Sequence, residues 1–68
     1  MNKQTKFYID LLDKKKEYEL DIQKAKESWK RQTSEMVQDL LEQRIVMVNE
    51  KLGLLVHLIN YLKRLILL

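Results

Sequence analysis

Few side chains of this 68-residue chain could take part in catalysis or bind a metal, because it contains no cysteine and one histidine, His57. A metal site built on one histidine needs several carboxylates around it, and the acidic residues form no such cluster in the sequence. No serine stands at a predictable geometry from His57, and no glycine-rich loop could cradle a phosphate. The sequence therefore predicts a protein that is not an enzyme and that carries no cofactor.

His57 belongs to a polar strip whose members are three or four residues apart: Glu50, Gly53, His57, Asn60 and Arg64. On a helix this spacing places them on one side. The strip is a hydrogen-bonding surface at an interface, the lining of a polar channel in an oligomer, or the solvent-exposed side of a helix in a bundle. We interpret it as the solvent-exposed side.

A second group that could bind a ligand is basic and aromatic, and consists of Lys24, Lys26, Trp29, Lys30 and Arg31. Its cations could meet phosphates while the indole stacks on a base. The net charge is only +3, with both signs interspersed along the chain, whereas nucleic-acid binders have a clustered basic face. We keep nucleic-acid binding as an alternative, behind the interpretation in which Trp29 closes one end of an apolar core.

The composition predicts an all-α protein. The chain has no proline and one glycine, and its abundant Leu, Lys, Glu and Gln favour helix. No segment alternates between apolar and polar residues as a strand does. Its length allows a single domain near the lower limit for a self-sufficient core. Without disulfides, a chain of this size is stabilised by regular helix packing or by oligomerisation.

The stretch from Leu41 to Ile66 carries an apolar row at strict three- and four-residue spacing, which we call the heptad row: Leu41, Ile45, Val48, Leu52, Leu55, Ile59, Leu62 and Ile66. Such spacing lays one continuous row against a partner helix. A second apolar face lies beside it on the same helix: Met47, Leu54, Leu58, Tyr61, Leu65 and Leu68. Together the two sets cover a wider arc of the helix surface than one partner helix can bury, so we expect neighbouring helices on several sides.

The rest of the chain predicts a poorer helix over residues 2–30 and a turn at residues 31–34. The apolar row of the first helix, interrupted by Lys15, is Tyr8, Leu11, Tyr18, Ile22, Ala25 and Trp29. Residues 30–35 are all polar, and the rows on either side would point about 140° apart on one straight helix. An antiparallel hairpin, with Ser34 as N-cap of a helix over residues 35–68, lets the rows meet. A single long helix in a coiled coil is the alternative, because no glycine or proline marks the turn.

The surplus of apolar residues in the second helix predicts that the hairpin self-associates. The simplest assembly is a dimer that forms a four-helix bundle with the second helices central, and higher oligomers stay open. We therefore expect a small cytoplasmic protein–protein interaction module that binds itself and another protein through the heptad row. An assembly factor, an adaptor or a stoichiometric inhibitor would each fit.

A peripheral membrane protein is the main alternative. Residues 52–68 combine a wide apolar arc with a thin polar stripe, as helices that lie in the plane of a bilayer do. Against this, the polar stripe has few basic residues, and a bilayer does not select for heptad spacing. We do not expect a conventional transmembrane helix, because that needs about 18 consecutive apolar residues and Lys63 and Arg64 interrupt the longest uncharged run.

Overall fold

The protein is a hairpin of two α-helices in its computed structural model, which describes residues 3–67, the last of them by its backbone alone. Helix α1 is Lys3–Arg31 and helix α2 is Glu35–Leu67. All but three of the described residues are helical, and the two helices pack against each other. The predicted all-α hairpin is confirmed, and the structure does not form the single long helix. The hairpin measures 50 × 17 × 13 Å.

The turn between the helices needs no glycine, because no described residue has a positive φ. Its backbone groups find partners nearby. The Gln38 side-chain amide donates to the carbonyls of Trp29 (3.3 Å) and Gln32 (3.0 Å). The Trp29 carbonyl also accepts a bond from the Gln32 N–H at 3.2 Å, so these carbonyls at the end of α1 are satisfied locally. The carbonyl of Ser34 accepts a bond from the Gln38 N–H at 3.0 Å, which is the backbone role of an N-cap.

The core is one thin seam between the helices, and it contains the predicted row of α1 and the heptad row of α2. The buried side chains are Ile22, Ala25, Val48, Leu55 and Ile59, each 5–9% exposed. The other members of the two rows are half-buried. No described side chain is completely buried, because each helix covers only one side of the other.

An ion pair between Asp21 and Arg44 joins the two helices and marks their register. Arg44 Nη2 donates to both carboxylate oxygens of Asp21, at 2.9 and 3.0 Å, and Arg44 Nε donates to Oδ1 at 3.1 Å. The fork of the guanidinium gives this contact directionality. Because the Arg44 side chain is 60% exposed, we expect the pair to add at most about 1 kcal/mol to stability.

Gly53 lies in the middle of α2, and a Cβ atom added there would meet nothing within 4 Å. The polar strip to which it belongs is exposed throughout. Gly53→Ala is therefore expected to raise the free energy of unfolding by about 0.5–1 kcal/mol, since glycine is a poor helix former. Chemical denaturation followed by circular dichroism measures the change. A loss of stability would show that the strip is packed closely against a neighbour, contrary to our interpretation of it as solvent-exposed.

Candidate interaction surface

The second apolar face of α2 lies outside the hairpin core. The exposed fractions of its side chains are 56% for Met47, 72% for Leu54, 40% for Leu58, 60% for Tyr61 and 44% for Leu65. Leu68, its sixth member, lies outside the described residues. The heptad row is instead buried or half-buried in the hairpin. Helix α1 thus covers one of the two apolar sets of α2 and leaves the other open.

Two residues that were not predicted as part of this face extend it towards the turn. Met36 is 70% exposed and Leu40 is 59% exposed. Leu40 precedes Met47 by seven residues, and Leu54 and Tyr61 follow at the same interval, so the four lie on one side of the helix. We call Met36, Leu40 and the described residues of the second apolar face the extended face.

The extended face repeats the heptad pattern one residue earlier in the chain. Leu40, Met47 and Leu54 directly precede Leu41, Val48 and Leu55 of the heptad row, which rotates the face about 100° from the core side of α2. At two positions of this second pattern the residue is basic, Arg44 and Lys51. Arg44 is bound to Asp21. Neither Lys51 nor its neighbour Glu50 forms an ion pair within residues 3–67.

The apolar surface also crosses onto α1. Phe7 lies fourteen residues before Asp21, and Leu58 lies fourteen residues after Arg44. In an antiparallel pair in which Asp21 lies beside Arg44, those equal intervals place Phe7 and Leu58 at the same height on the same side. Phe7 is 48% exposed. By this register, Phe7 widens the apolar surface beside Leu58.

The hairpin exposes more surface than a compact protein of its mass. Its accessible surface is 5720 Å², whereas a folded monomer of 8.3 kDa is expected to expose about 4,600 Å². The surplus of about 1,100 Å² exceeds the ~800 Å² that each partner contributes to a protein–protein interface of ordinary size. The isolated hairpin therefore has enough spare surface for one such interface.

Trp29, the centre of the predicted nucleic-acid group, is engaged within the hairpin. Its indole Nε1–H donates to Glu42 Oε1 at 3.2 Å, and the side chain is half-buried between the helices. Trp29 and Glu42 line a shallow hollow together with Lys26 and Lys30. A carboxylate at this position opposes the approach of a phosphate.

The basic residues around Trp29 do not share one side of α1. Lys24 and Arg31 point about 130° away from Lys26 and Lys30, by the 100° rotation per helical residue. All four are exposed, so each meets solvent on its own side. The structure thus divides the predicted group into two pairs, and nucleic-acid binding stays a prediction without further support.

Known proteins add no information about this surface, since comparisons of the chain with protein families, curated proteins and solved structures find no match. Among residues 3–67, no three or more His, Cys, Asp or Glu side chains are grouped as metal ligands. The extended face is therefore the feature of the hairpin that bears on its function.

Helix α2 also has the length and composition of a membrane-crossing helix. Residues 45–62 contain only two charged residues, Glu50 and Lys51, and 18 residues of helix span about 27 Å, close to the hydrocarbon thickness of a bilayer. A helix that forms the core of a water-soluble protein can have the same composition. This property makes a membrane role a second candidate and does not distinguish it from a packed helix.

Proposed function

We propose that this protein is a small, non-enzymatic helical interaction module that works by self-association, with the extended face as its binding surface. The observation that carries the proposal is the exposure of that face, whose large apolar side chains are 40–72% exposed. Contiguous apolar surface of this kind marks protein interfaces. Two hairpins joined through it form a four-helix bundle with the α2 helices at its centre.

In this proposal the heptad row and the extended face have separate roles. The heptad row packs in the hairpin core with the row of α1, and it sets the shape of the module. The extended face contacts the neighbouring chain. Direct binding of another chain by the heptad row would require α1 to leave α2, and it stays a prediction from the sequence.

The module would act in the cytoplasm as an assembly factor, an adaptor or a stoichiometric inhibitor, by binding its own copies and a further protein. Helix-to-helix docking of this type obtains its affinity from apolar side chains and its alignment from the charges around them. Arg44, Glu50 and Lys51 are the charged residues placed to align the extended face. No cofactor is needed for such a role.

Co-purification of two differently tagged copies tests the proposal. When both copies are expressed together and purified through one tag without detergent, the other copy should be retained. A tagged copy carrying Leu54→Asp, a change on the extended face, should retain none. Failure of the unmodified pair to co-purify would contradict self-association.

Peripheral membrane binding is the second candidate, because the apolar length of α2 suits a bilayer as well as a packed bundle. Incubation with vesicles of neutral lipid, and separately of lipid containing an anionic headgroup, followed by sedimentation distinguishes the two. The interaction module should stay in the supernatant with its oligomeric mass unchanged. A chain that is monomeric in buffer and pellets with vesicles would establish the membrane role and contradict the module.

A further inference from the structure

We propose that the occupant of the extended face is a second copy of this chain, bound with its α2 antiparallel, about a two-fold axis that passes between Glu50 and Lys51. This inference rests on the proposed self-association and adds its orientation and register. In a two-fold interface, if residue i contacts residue j of the partner, then j contacts i. Six of the seven residues of the extended face satisfy this condition with one another at one position of the axis, and the seventh, Leu58, lies opposite the partner's Gln43.

The charges of the face favour the antiparallel orientation. In a parallel pair with the helices in register, Arg44, Glu50 and Lys51 would each lie opposite the same residue of the other chain. Like charges placed opposite each other in an interface are costly. In the antiparallel pair, Lys51 lies opposite the partner's Glu50, and Glu50 lies opposite the partner's Lys51. Both residues are exposed and form no ion pair within the described chain. Glu50 is the member of the polar strip that borders the extended face, so it can make this contact while the rest of the strip stays exposed to solvent.

The apolar residues match about the same axis. It places Met47 opposite the partner's Leu54 and Leu40 opposite the partner's Tyr61. At the outer ends it places Met36 opposite the partner's Leu65. All six side chains are exposed in the single hairpin, by 44–72%. Each therefore exchanges solvent for an apolar neighbour, and no charged residue is placed opposite any of them.

The length of α2 selects this axis over others with the same spacing. The axis lies at the middle of Glu35–Leu67, so the two α2 helices overlap along their whole length. An axis at residue 47 would still place apolar residues of the seven-residue pattern opposite one another, but it would place Leu65 beyond the start of the partner's α2. Moving it to residue 54 places Met36 beyond the end of that helix. Only the axis between Glu50 and Lys51 covers both ends of the extended face.

Cysteine cross-linking tests the orientation, because the natural chain contains no cysteine. Leu40→Cys and Tyr61→Cys chains are refolded alone and as a mixture, and are treated with a short thiol-to-thiol cross-linker. The antiparallel pair should give a covalent dimer in the mixture and none in either chain alone. Within either single variant, the two introduced thiols would be about 30 Å apart in that pair, by the 1.5 Å rise per residue.

Asn60→Cys is the matched control, since residue 60 adjoins Tyr61 but lies on the polar strip of α2. Mixed with Leu40→Cys, it should give no covalent dimer. Covalent dimers formed by each cysteine variant on its own would show that the two α2 helices are parallel and would overturn the inference. Oligomeric mass without any cross-linked product would place the contact on another face and also overturn it. Monomeric mass throughout would instead overturn the proposed function.

Discussion

Leu55→Asp is expected to unfold the hairpin. Leu55 is 9% exposed and belongs to the core seam. Loss of a buried leucine costs about 2–5 kcal/mol, and a carboxylate without a partner in the same place costs several more. A core with five buried side chains among residues 3–66 cannot absorb that loss, since domains of this size have only about 3–5 kcal/mol of core stability. Far-ultraviolet circular dichroism should show most of the helix signal lost.

Leu54→Asp is the control for this experiment, because it introduces the same side chain one residue earlier. Leu54 is 72% exposed in the hairpin, so its carboxylate remains in water and α1 and α2 can stay packed. The helix signal of Leu54→Asp should therefore be much higher than that of Leu55→Asp at equal concentration. Equal helix content in the two variants would contradict the arrangement of core and extended face described here.

Leu54→Asp is expected to dissociate the assembly into single hairpins. In the proposed dimer Leu54 lies next to the two-fold axis, where both copies of the carboxylate would be buried against apolar side chains. A carboxylate buried without a partner costs several kcal/mol, and the variant acts twice in a symmetric dimer. We expect the dissociation constant to rise by at least about a hundredfold. Size-exclusion chromatography with light scattering measures the mass.

Val46 and Met47 offer a stricter comparison for the same prediction. They are adjacent and equally exposed, at 56%, but Met47 belongs to the extended face and Val46 lies on the polar side of α2. Val46→Glu places a carboxylate four residues from both Glu42 and Glu50, which weakens the helix slightly. Met47→Glu instead places its carboxylate four residues before Lys51, which is a favourable pair on a helix. If Met47→Glu dissociates the assembly and Val46→Glu does not, the cause is the loss of an interface contact. Equal dissociation by both variants would contradict the placement of Met47 in the interface.

The two helices and the turn could be predicted from the sequence because they depend on local patterns. Three- and four-residue spacing of apolar residues identifies each helix. The polar segment from Lys30 to Glu35 interrupts both rows. The contacts that close the turn could not be predicted. The two hydrogen bonds from the Gln38 side chain to the end of α1 depend on a backbone path that no residue type specifies.

The sequence identified both apolar sets of α2 but not which of them α1 covers. Both sets have heptad spacing and differ by one residue along the chain. The choice depends on interhelical register, which rests on contacts such as Asp21 with Arg44, 23 residues apart in the chain. One local signal does favour the observed arrangement: the heptad row contains no charged residue, whereas the pattern of the second apolar face includes Arg44 and Lys51.

The most direct test of the account is sedimentation equilibrium of the unmodified chain in dilute buffer, with no lipid and no other protein, at two concentrations about tenfold apart. Association makes the average mass depend on concentration. We predict a mass above the 8.3 kDa of one chain that rises towards a whole-number multiple at the higher concentration. A mass of 8.3 kDa at both concentrations would show that the exposed face needs no second copy, and would contradict the proposed function.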